Sequence, residues 1–456
     1  MRLKAAQGDG ASRPPELSQF GRFLQAYFDR DALTVLLVFL VARLLFMLLM
    51  PANVRSFDTF SWEKIADSLG RGENPYQTTP FLNWPPFWMQ IIFVLSKMSA
   101  AYGIPFFRVL QIFLIAVEAG VVVLLIRMIR AVVPDARIVG LVILGMALNP
   151  AAILMTCQHC NFDIVVGFWV LLFVLSLLRY NRSNDSADWL CACLFLGLGI
   201  LTKTVPLLLF PMLAGGFRRA AANVRLLGVT LVFGPVALGI SILYVLSPVD
   251  IATKVIAYRS IPGFFGITGL IKMAGLDGIN GFYHALFYLA LIASLAFTAI
   301  LFWRLRSIGD RATVLYAALF LTCIPVFGPG YATEYLDWFL PLLVATYAFF
   351  NGRWRFLLVC FGLILACTYL IECGAVGGEG TYIVNVWLYK TGSIYNIPPG
   401  LLRLLSNLES AAGQTLTTLP LFLSYLTLIV VGTRLLAQDI RNRLNSQTPP
   451  SEISDR

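Results

Sequence analysis

Apolar residues run along this chain in long blocks. The blocks fall at 33–50, 105–126, 138–156, 162–178, 189–201, 205–217, 226–247, 281–302, 312–326, 337–350, 354–371 and 412–433. A helix needs about 20 apolar residues to cross a bilayer. The longer blocks therefore predict transmembrane helices, and the shorter ones partial crossings. The expected fold is all-α and polytopic, with about twelve membrane segments.

Two stretches need a decision. Trp84–Ser99 reads either as a crossing or as an interfacial helix. The stretch 189–217 reads either as one long crossing or as a hairpin broken at Lys203-Thr204-Val205-Pro206, where proline removes a backbone donor. The basic residues decide both. With the N-terminus inside, 84–99 uncounted and 189–217 broken, the stretches 1–31, 127–137, 179–188, 216–225, 303–311, 351–355 and 434–456 are cytoplasmic and carry 22 of the 34 Lys and Arg. Counting 84–99 as a crossing would turn 17 of those 22 outward, against the positive-inside rule. The chain then divides into a basic cytoplasmic N-terminus (1–31), one transmembrane domain (32–433) and a cytoplasmic tail (434–456). External loops fall at 51–104, 248–280 and 372–411, the last rich in glycine and expected to act as a lid. No second half echoes the first, so an inverted-repeat transporter is not supported.

Composition agrees. Of 456 residues, 58% are hydrophobic and 13% charged, with a mean hydropathy of +0.78. Soluble domains carry about 25% charged residues, so disorder, coiled coil and soluble enzyme are excluded. The net charge of +10 is read as basic cytoplasmic loops, not as a nucleic-acid surface. The eight cysteines are scattered and imply no disulfide framework. The polar, arginine-bearing first thirty residues make the first apolar block a signal anchor.

The chemistry-bearing residues gather in the external segments. In loop 1, Trp62, Ile65, Ala66 and Leu69 share one helical face, which predicts a short amphipathic helix lying on the membrane surface. Gly70 and Gly72 end it, and Asn74-Pro75-Tyr76 makes a turn. Asp58 stands just before that helix, as an N-cap or as a functional carboxylate at the lipid–water boundary. The turn Cys157-Gln158-His159-Cys160-Asn161-Phe162-Asp163 holds one of two histidines with an acid four residues on. It reads as a polar inter-helix turn capped by Asp163, or as part of a site. Lys203 at the hairpin tip is either snorkelling or functional. Arg259 is either solvated or an anion ligand. Glu334-Tyr335 and Asp337-Trp338 suit an interfacial anchor or a sugar site equally. Glu118 lies mid-block, with Arg43 a candidate partner in a buried structural pair.

Taken in order, these motifs resemble the GT-C superfamily of membrane glycosyltransferases, which use polyprenyl-phosphate-linked sugars. The resemblance is carried by Asp58, then Ala66-Asp67-Ser68-Leu69-Gly70-Arg71-Gly72-Glu73-Asn74-Pro75-Tyr76, then Asn83-Trp84-Pro85-Pro86-Phe87. It continues through Leu148-Asn149-Pro150, His159-Cys160-Asn161-Phe162-Asp163, Thr202-Lys203-Thr204-Val205-Pro206 and Tyr335-Leu336-Asp337-Trp338-Phe339-Leu340-Pro341. Order and spacing are similar to the mannosyltransferase that adds the first mannose of GPI anchors and to bacterial enzymes acting on phosphatidylinositol mannosides. The resemblance implies a GT-C fold with a lipid-accessible cavity on the outer face. It implies inverting transfer of a hexose, mannose or glucose, from a polyprenyl-phosphate sugar to a glycolipid or glycan acceptor. Asp58 becomes the general base, although Ser56 stands where the family's D-x-D pattern has its first acid, so a two-carboxylate metal bridge is not supported. Lys203 and Arg259 become donor-phosphate ligands, and His159, Asn161, Asp163, Glu334, Tyr335, Trp84 and Tyr76 sugar or acceptor contacts. No cofactor is expected.

Three other readings stay open. One is a polyprenyl-linked glycan ligase or lipid-sugar flippase. Another is a thiol oxidoreductase using Cys157-x-x-Cys160, with His159 lowering a thiol pKa. The third, less favoured, is a zinc site from Cys157, His159, Cys160 and Asp163, whose four ligands within seven residues depart from the usual two-pair spacing. The sequons Asn181-Arg182-Ser183 and Asn184-Asp185-Ser186 fall on the cytoplasmic side, which fits a bacterial plasma membrane.

Overall fold

A computed structural model describes residues 30–49, 57–79, 82–133, 146–244, 252–256, 266–304, 309–330, 333–349 and 411–447. The described residues contain no β-strand. The long helices are α1 (Arg30–Leu49), α2 (Phe57–Gly70), α3 (Phe87–Tyr102), α4 (Phe106–Val132), α5 (Asp163–Ser183) and α6 (Ser186–Thr202), followed by α7 (Ala222–Tyr244), α8 (Asn280–Arg304), α9 (Asp310–Phe327), α10 (Leu340–Phe349) and α11 (Ala411–Gln447).

Seven helical segments among the described residues are long and apolar enough to cross a membrane: Ala32–Leu49, Phe106–Val132, Asp163–Ser183, Ala222–Gly239, Asp277–Arg304, Asp310–Phe327 and Leu419–Asn442. The protein is therefore all-α, with multiple candidate spans. Block 138–156 differs from a simple span where it is described: it holds a short helix, Pro150–Leu154, and a π-helical turn, Met155–His159. Block 337–350 is divided into a 3₁₀ turn, Thr333–Trp338, and α10. The block at 354–371 and the lid-like loop 372–411, up to 410, lie outside the described residues. Helix α11 continues through Gln447, so much of the expected tail prolongs the last helix.

Two contacts fix the path of the chain. Arg108, in the first turn of α4, donates to the carbonyl of Met47 near the end of α1 at 2.5 Å. The last turn of α1 and the first turn of α4 therefore lie side by side, and α3 is not among the helices long and apolar enough to cross a membrane. Helix α6 stops at Thr202, Lys203 is extended, and a 3₁₀ helix, Val205–Leu213, carries the chain back to Ala214–Arg219. There Arg219 donates to the side chain of Asn184, which precedes α6, at 3.0 Å. The hairpin read from Pro206 is present. The close return needs small residues: a Cβ on Gly216 would stand 1.9 Å from the indole nitrogen of buried Trp189.

Helix α5 is the axis of this arrangement. Asp163 opens it, which suits the positive end of the helix dipole, and Arg182 lies in its last turn. At 1.5 Å per residue its 21 residues separate the two ends by about 30 Å. Arg182 pairs with Asp310 at 2.6 Å and Arg179 with Asp188 at 3.2 Å, gathering basic residues at the end opposite Asp163. Helix α8, by contrast, presents Phe282, Leu289 and Ile292 outward. Apolar side chains on that scale need lipid or a partner to cover them.

Loop 1 corrects one expectation. Its helix, α2, forms with the expected apolar face, but that face meets protein. Trp62 is fully buried and packs edge-on against Trp88 of α3, with ring centroids 5.3 Å apart. Trp62, Trp84 and Trp88 all surround Phe162, at 6.1, 5.4 and 4.9 Å. Large aromatic faces packed in this way bury much apolar area, so the apolar face of α2 is fastened to protein.

Deep inside, Arg43 of α1 donates to Glu118 of α4 at 3.0 Å, and both side chains are fully buried. Arg43 Nη2 donates to the other Glu118 oxygen, and Nη1 reaches the carbonyl of Ala147 at 2.5 Å. The candidate partnership read from the sequence is a buried pair tying three segments together.

Candidate active site

The turn between Pro150–Leu154 and α5 brings the polar residues to one place. Asn149 caps the short helix by accepting from the N–H groups of Ala151 and Ala152. The next five residues, Met155–His159, wind as a π-helix. Cys160 then takes the left-handed conformation, with φ 55°. Such backbone is uncommon for a non-glycine residue, and π-turns recur where side chains must be re-aimed. Here the result is that His159, Asn161 and Asp163 face α2, α6 and the 333–338 turn within a few residues of chain.

Asp58 lies inside the first turn of α2, and not just ahead of the helix as its sequence predicts. One carboxylate oxygen, Oδ2, stands 2.9 Å from His159 Nε2 and accepts from Asn161 Nδ2 at 3.0 Å. With the carboxylate ionised, Nε2 is the protonated ring nitrogen. The side chains of Asp58 and His159 are 23% and 20% exposed, so a solute can approach both.

Asn161 faces two ways. Its Oδ1 accepts from the backbone N–H of Asp163 at 2.8 Å. Asp163 is itself fully buried and receives both a bidentate contact from Lys203 Nζ, at 2.7 and 3.0 Å, and the indole N–H of Trp338, at 2.9 Å. The ammonium of Lys203 also lies 4.9, 5.0 and 5.3 Å from the rings of Trp338, Tyr335 and Phe162. The 333–338 turn reaches this close because α5 carries Gly167 where a Cβ would stand 2.3 Å from the carbonyl oxygen of Asp337.

The expected site residues divide accordingly. Asp58, His159, Asn161, Asp163, Lys203 and Tyr335 converge. Glu334 falls in the same turn as Tyr335, but its side chain lies outside the described residues, as does Arg259. Tyr76 is fully buried and its hydroxyl donates to the carbonyl of Trp84 at 2.7 Å, while Trp84 packs its ring on Phe162. These two fasten loop 1 to itself and to the bundle. Burial raises the Tyr76 hydroxyl pKa, so it stays a donor. Trp338 and Phe162 complete the surroundings of Lys203. The signal for Trp338 was its place beside Asp337 in an acid–aromatic run. Lys254, from the 252–256 turn, donates to the Tyr76 carbonyl and had no distinguishing sequence signal.

The thiol reading finds no support in this geometry. Cys157 and Cys160 are both fully buried and free. Burial pushes the Cys157 thiol up to about 12 and the Cys160 thiol well above its usual value. A reactive cysteine needs the opposite shift and an open approach. His159 spends its Nε2 on Asp58, not on sulfur. Among the described residues no group of three or more His, Cys, Asp or Glu side chains could hold a metal ion.

No protein-family model matches this chain, and no curated protein matches it.

Proposed function

We propose that the protein is a membrane glycosyltransferase of GT-C type that moves a hexose from a polyprenyl-phosphate donor to a glycolipid or glycan acceptor. The observation that carries this reading is the Asp58 cluster. A partly exposed carboxylate is held by His159 and Asn161 at the ends of apolar helices, where a lipid-linked donor and a polar acceptor can meet.

The chemistry follows from the groups present. An acceptor hydroxyl attacks the anomeric carbon as the bond from that carbon to the phosphate oxygen breaks. The electron pair leaves on the lipid phosphate, and the hydroxyl proton passes to a carboxylate oxygen of Asp58. His159 and Asn161 both bond Oδ2, and the reading assigns the incoming proton to Oδ1. Orientation of this kind is worth much of the barrier. The donor sits with its chain among the apolar helices, and the acceptor enters from the aqueous side. The reading takes the end of α5 where basic residues gather to be cytoplasmic, as the positive-inside rule favours, and Asp58 to lie on the outer side of what it assigns as a bacterial plasma membrane.

Lys203 changes its part in this account. Its charge is balanced by Asp163, so it is assigned to shaping the site and not to holding the donor phosphate.

The test uses the purified protein in nanodiscs with a panel of polyprenyl-phosphate hexoses and a membrane lipid extract, followed by mass spectrometry. The expected result is free polyprenyl phosphate together with an acceptor heavier by one hexose. If no donor is consumed, the reading fails and lipid-sugar transport takes its place.

A further inference from the structure

The polar contacts around Lys203 form a continuous chain that ends on Asp58. Lys203 Nζ grips both oxygens of Asp163, the N–H of Asp163 donates to Asn161 Oδ1, and Asn161 Nδ2 donates to Asp58 Oδ2. Because Oδ1 is committed to the backbone of α5, the Asn161 amide can turn only its NH₂ toward Asp58. The start of α5, and with it that amide, is held by what holds Asp163.

The surroundings of Lys203 are those of an ammonium receptor. Three rings, from Phe162, Tyr335 and Trp338, stand within 5.3 Å of Nζ, and a fully buried carboxylate meets it directly. Aromatic faces and a carboxylate are the means by which proteins select ammonium ligands. The three rings are themselves buried, at 2%, 8% and 2% exposure, and are packed in the core around the lysine. Its parts come from the 155–163 turn, the end of α6 and the 333–338 turn, segments up to 175 residues apart in the chain.

We propose that Phe162, Tyr335, Trp338 and Asp163 form an ammonium cage that Lys203 occupies from within, and that this occupied cage is a positioning device that sets Asn161 and through it Asp58. The positioning half rests on the glycosyl-transfer reading, whereas the cage half does not. Lys203 touches no reacting atom in this scheme. Losing its charge leaves Asp163 buried without its cation, so α5 shifts at its first turn and the Asn161 amide loses its fixed direction. Small displacements of this kind cost about 100-fold in rate.

The experiment removes the lysine and supplies an ammonium from solution. Lys203→Ala and Lys203→Met are compared with wild type by melting temperature in detergent and by donor turnover. Each is measured alone, with propylammonium, and with tetramethylammonium, which can meet the rings but cannot donate to Asp163. The expected result is a lower melting temperature for both variants, raised toward wild type in Lys203→Ala by propylammonium and much less by tetramethylammonium, and raised by neither in Lys203→Met, whose side chain fills the space. In turnover, kcat falls about 10- to 100-fold with KM nearly unchanged, and propylammonium restores it in Lys203→Ala, where the side-chain volume is vacant. Equal stabilisation of wild type and variants by propylammonium overturns the cage. A raised KM for donor with kcat unchanged overturns the positioning role and returns Lys203 to the phosphate. If wild type consumes no donor, the glycosyl-transfer reading and the positioning role fall together, and the melting arm alone still decides the cage.

Discussion

Asp58 and His159 lie 101 residues apart in the chain and meet at 2.9 Å, one in the first turn of α2 and the other at the end of a π-helical turn. Neither element reaches the other by local geometry. Helix α2 is pressed inward by Trp62 against Trp88 and Phe162, and the left-handed Cys160 swings the chain from His159 into Asn161. The packing of loop 1 and the backbone of the turn are therefore conditions for the site.

Gly167 tests the packing behind Asp163. A methyl group there would stand 2.3 Å from the carbonyl of Asp337, so Gly167→Ala must push the 333–338 turn away from α5. Overpacking of this kind costs about 1–3 kcal/mol. The expected outcome is a lower melting temperature together with reduced turnover, because Trp338 is drawn off Asp163. A variant that melts and turns over like wild type would show that the two segments have room to spare.

Arg43 and Glu118 are both fully buried. Removing one partner leaves an uncompensated charge, which costs about 3–5 kcal/mol, while replacing both with apolar residues is often tolerated. Arg43→Met and Glu118→Leu should each melt well below wild type, and the double variant should recover most of the loss. Additive losses in the double variant would mean that the pair contributes no coupling.

Cys157 and Cys160 should be silent. With the Cys157 thiol pushed up to about 12 by burial, the thiolate is scarce at pH 8. A maleimide is expected to label neither residue in the folded protein and both after denaturation, read by peptide mass spectrometry. Cys157→Ala should retain donor turnover. Rapid labelling at pH 8, or loss of activity in that variant, would revive the thiol reading.

Sidedness can be read with introduced cysteines in a variant whose eight natural cysteines are replaced. Glu73→Cys lies on loop 1, and Ser183→Cys at the opposite end of α5. A membrane-impermeant maleimide should label position 73 in intact cells and position 183 only after permeabilisation. Labelling of both from the same side would contradict the orientation drawn from the basic residues.

Much of the helical framework was legible because apolar blocks and basic punctuation are local properties. The break at Lys203 to Pro206 follows from the missing donor of one proline, and the return of loop 1 to the α1 end follows from where the arginines fall. Asp58, His159 and Asn161 stood out as polar residues between apolar blocks. What they bind was less legible. Trp338 and Asp163 are 175 residues apart, and no periodicity reports a meeting over that separation. The ion pair of Lys203 with Asp163, 40 residues away across a helix boundary, leaves no local signal. The tether from Tyr76 to Trp84 leaves no signal either, because a buried tether and an open aromatic platform use the same residue types. The face of α2 was read correctly, but an amphipathic pattern does not distinguish a lipid surface from a wall of tryptophans.

The most direct test of the account is the rate at which Asp58→Asn releases free polyprenyl phosphate, compared with wild type at equal melting temperature. Asparagine keeps the shape and a hydrogen-bonding oxygen but cannot take the proton. General-base catalysis contributes about 10²- to 10⁴-fold. The account predicts a loss in that range with folding intact. Release at the wild-type rate would contradict it, because the carboxylate held by His159 and Asn161 would then take no part in the chemistry.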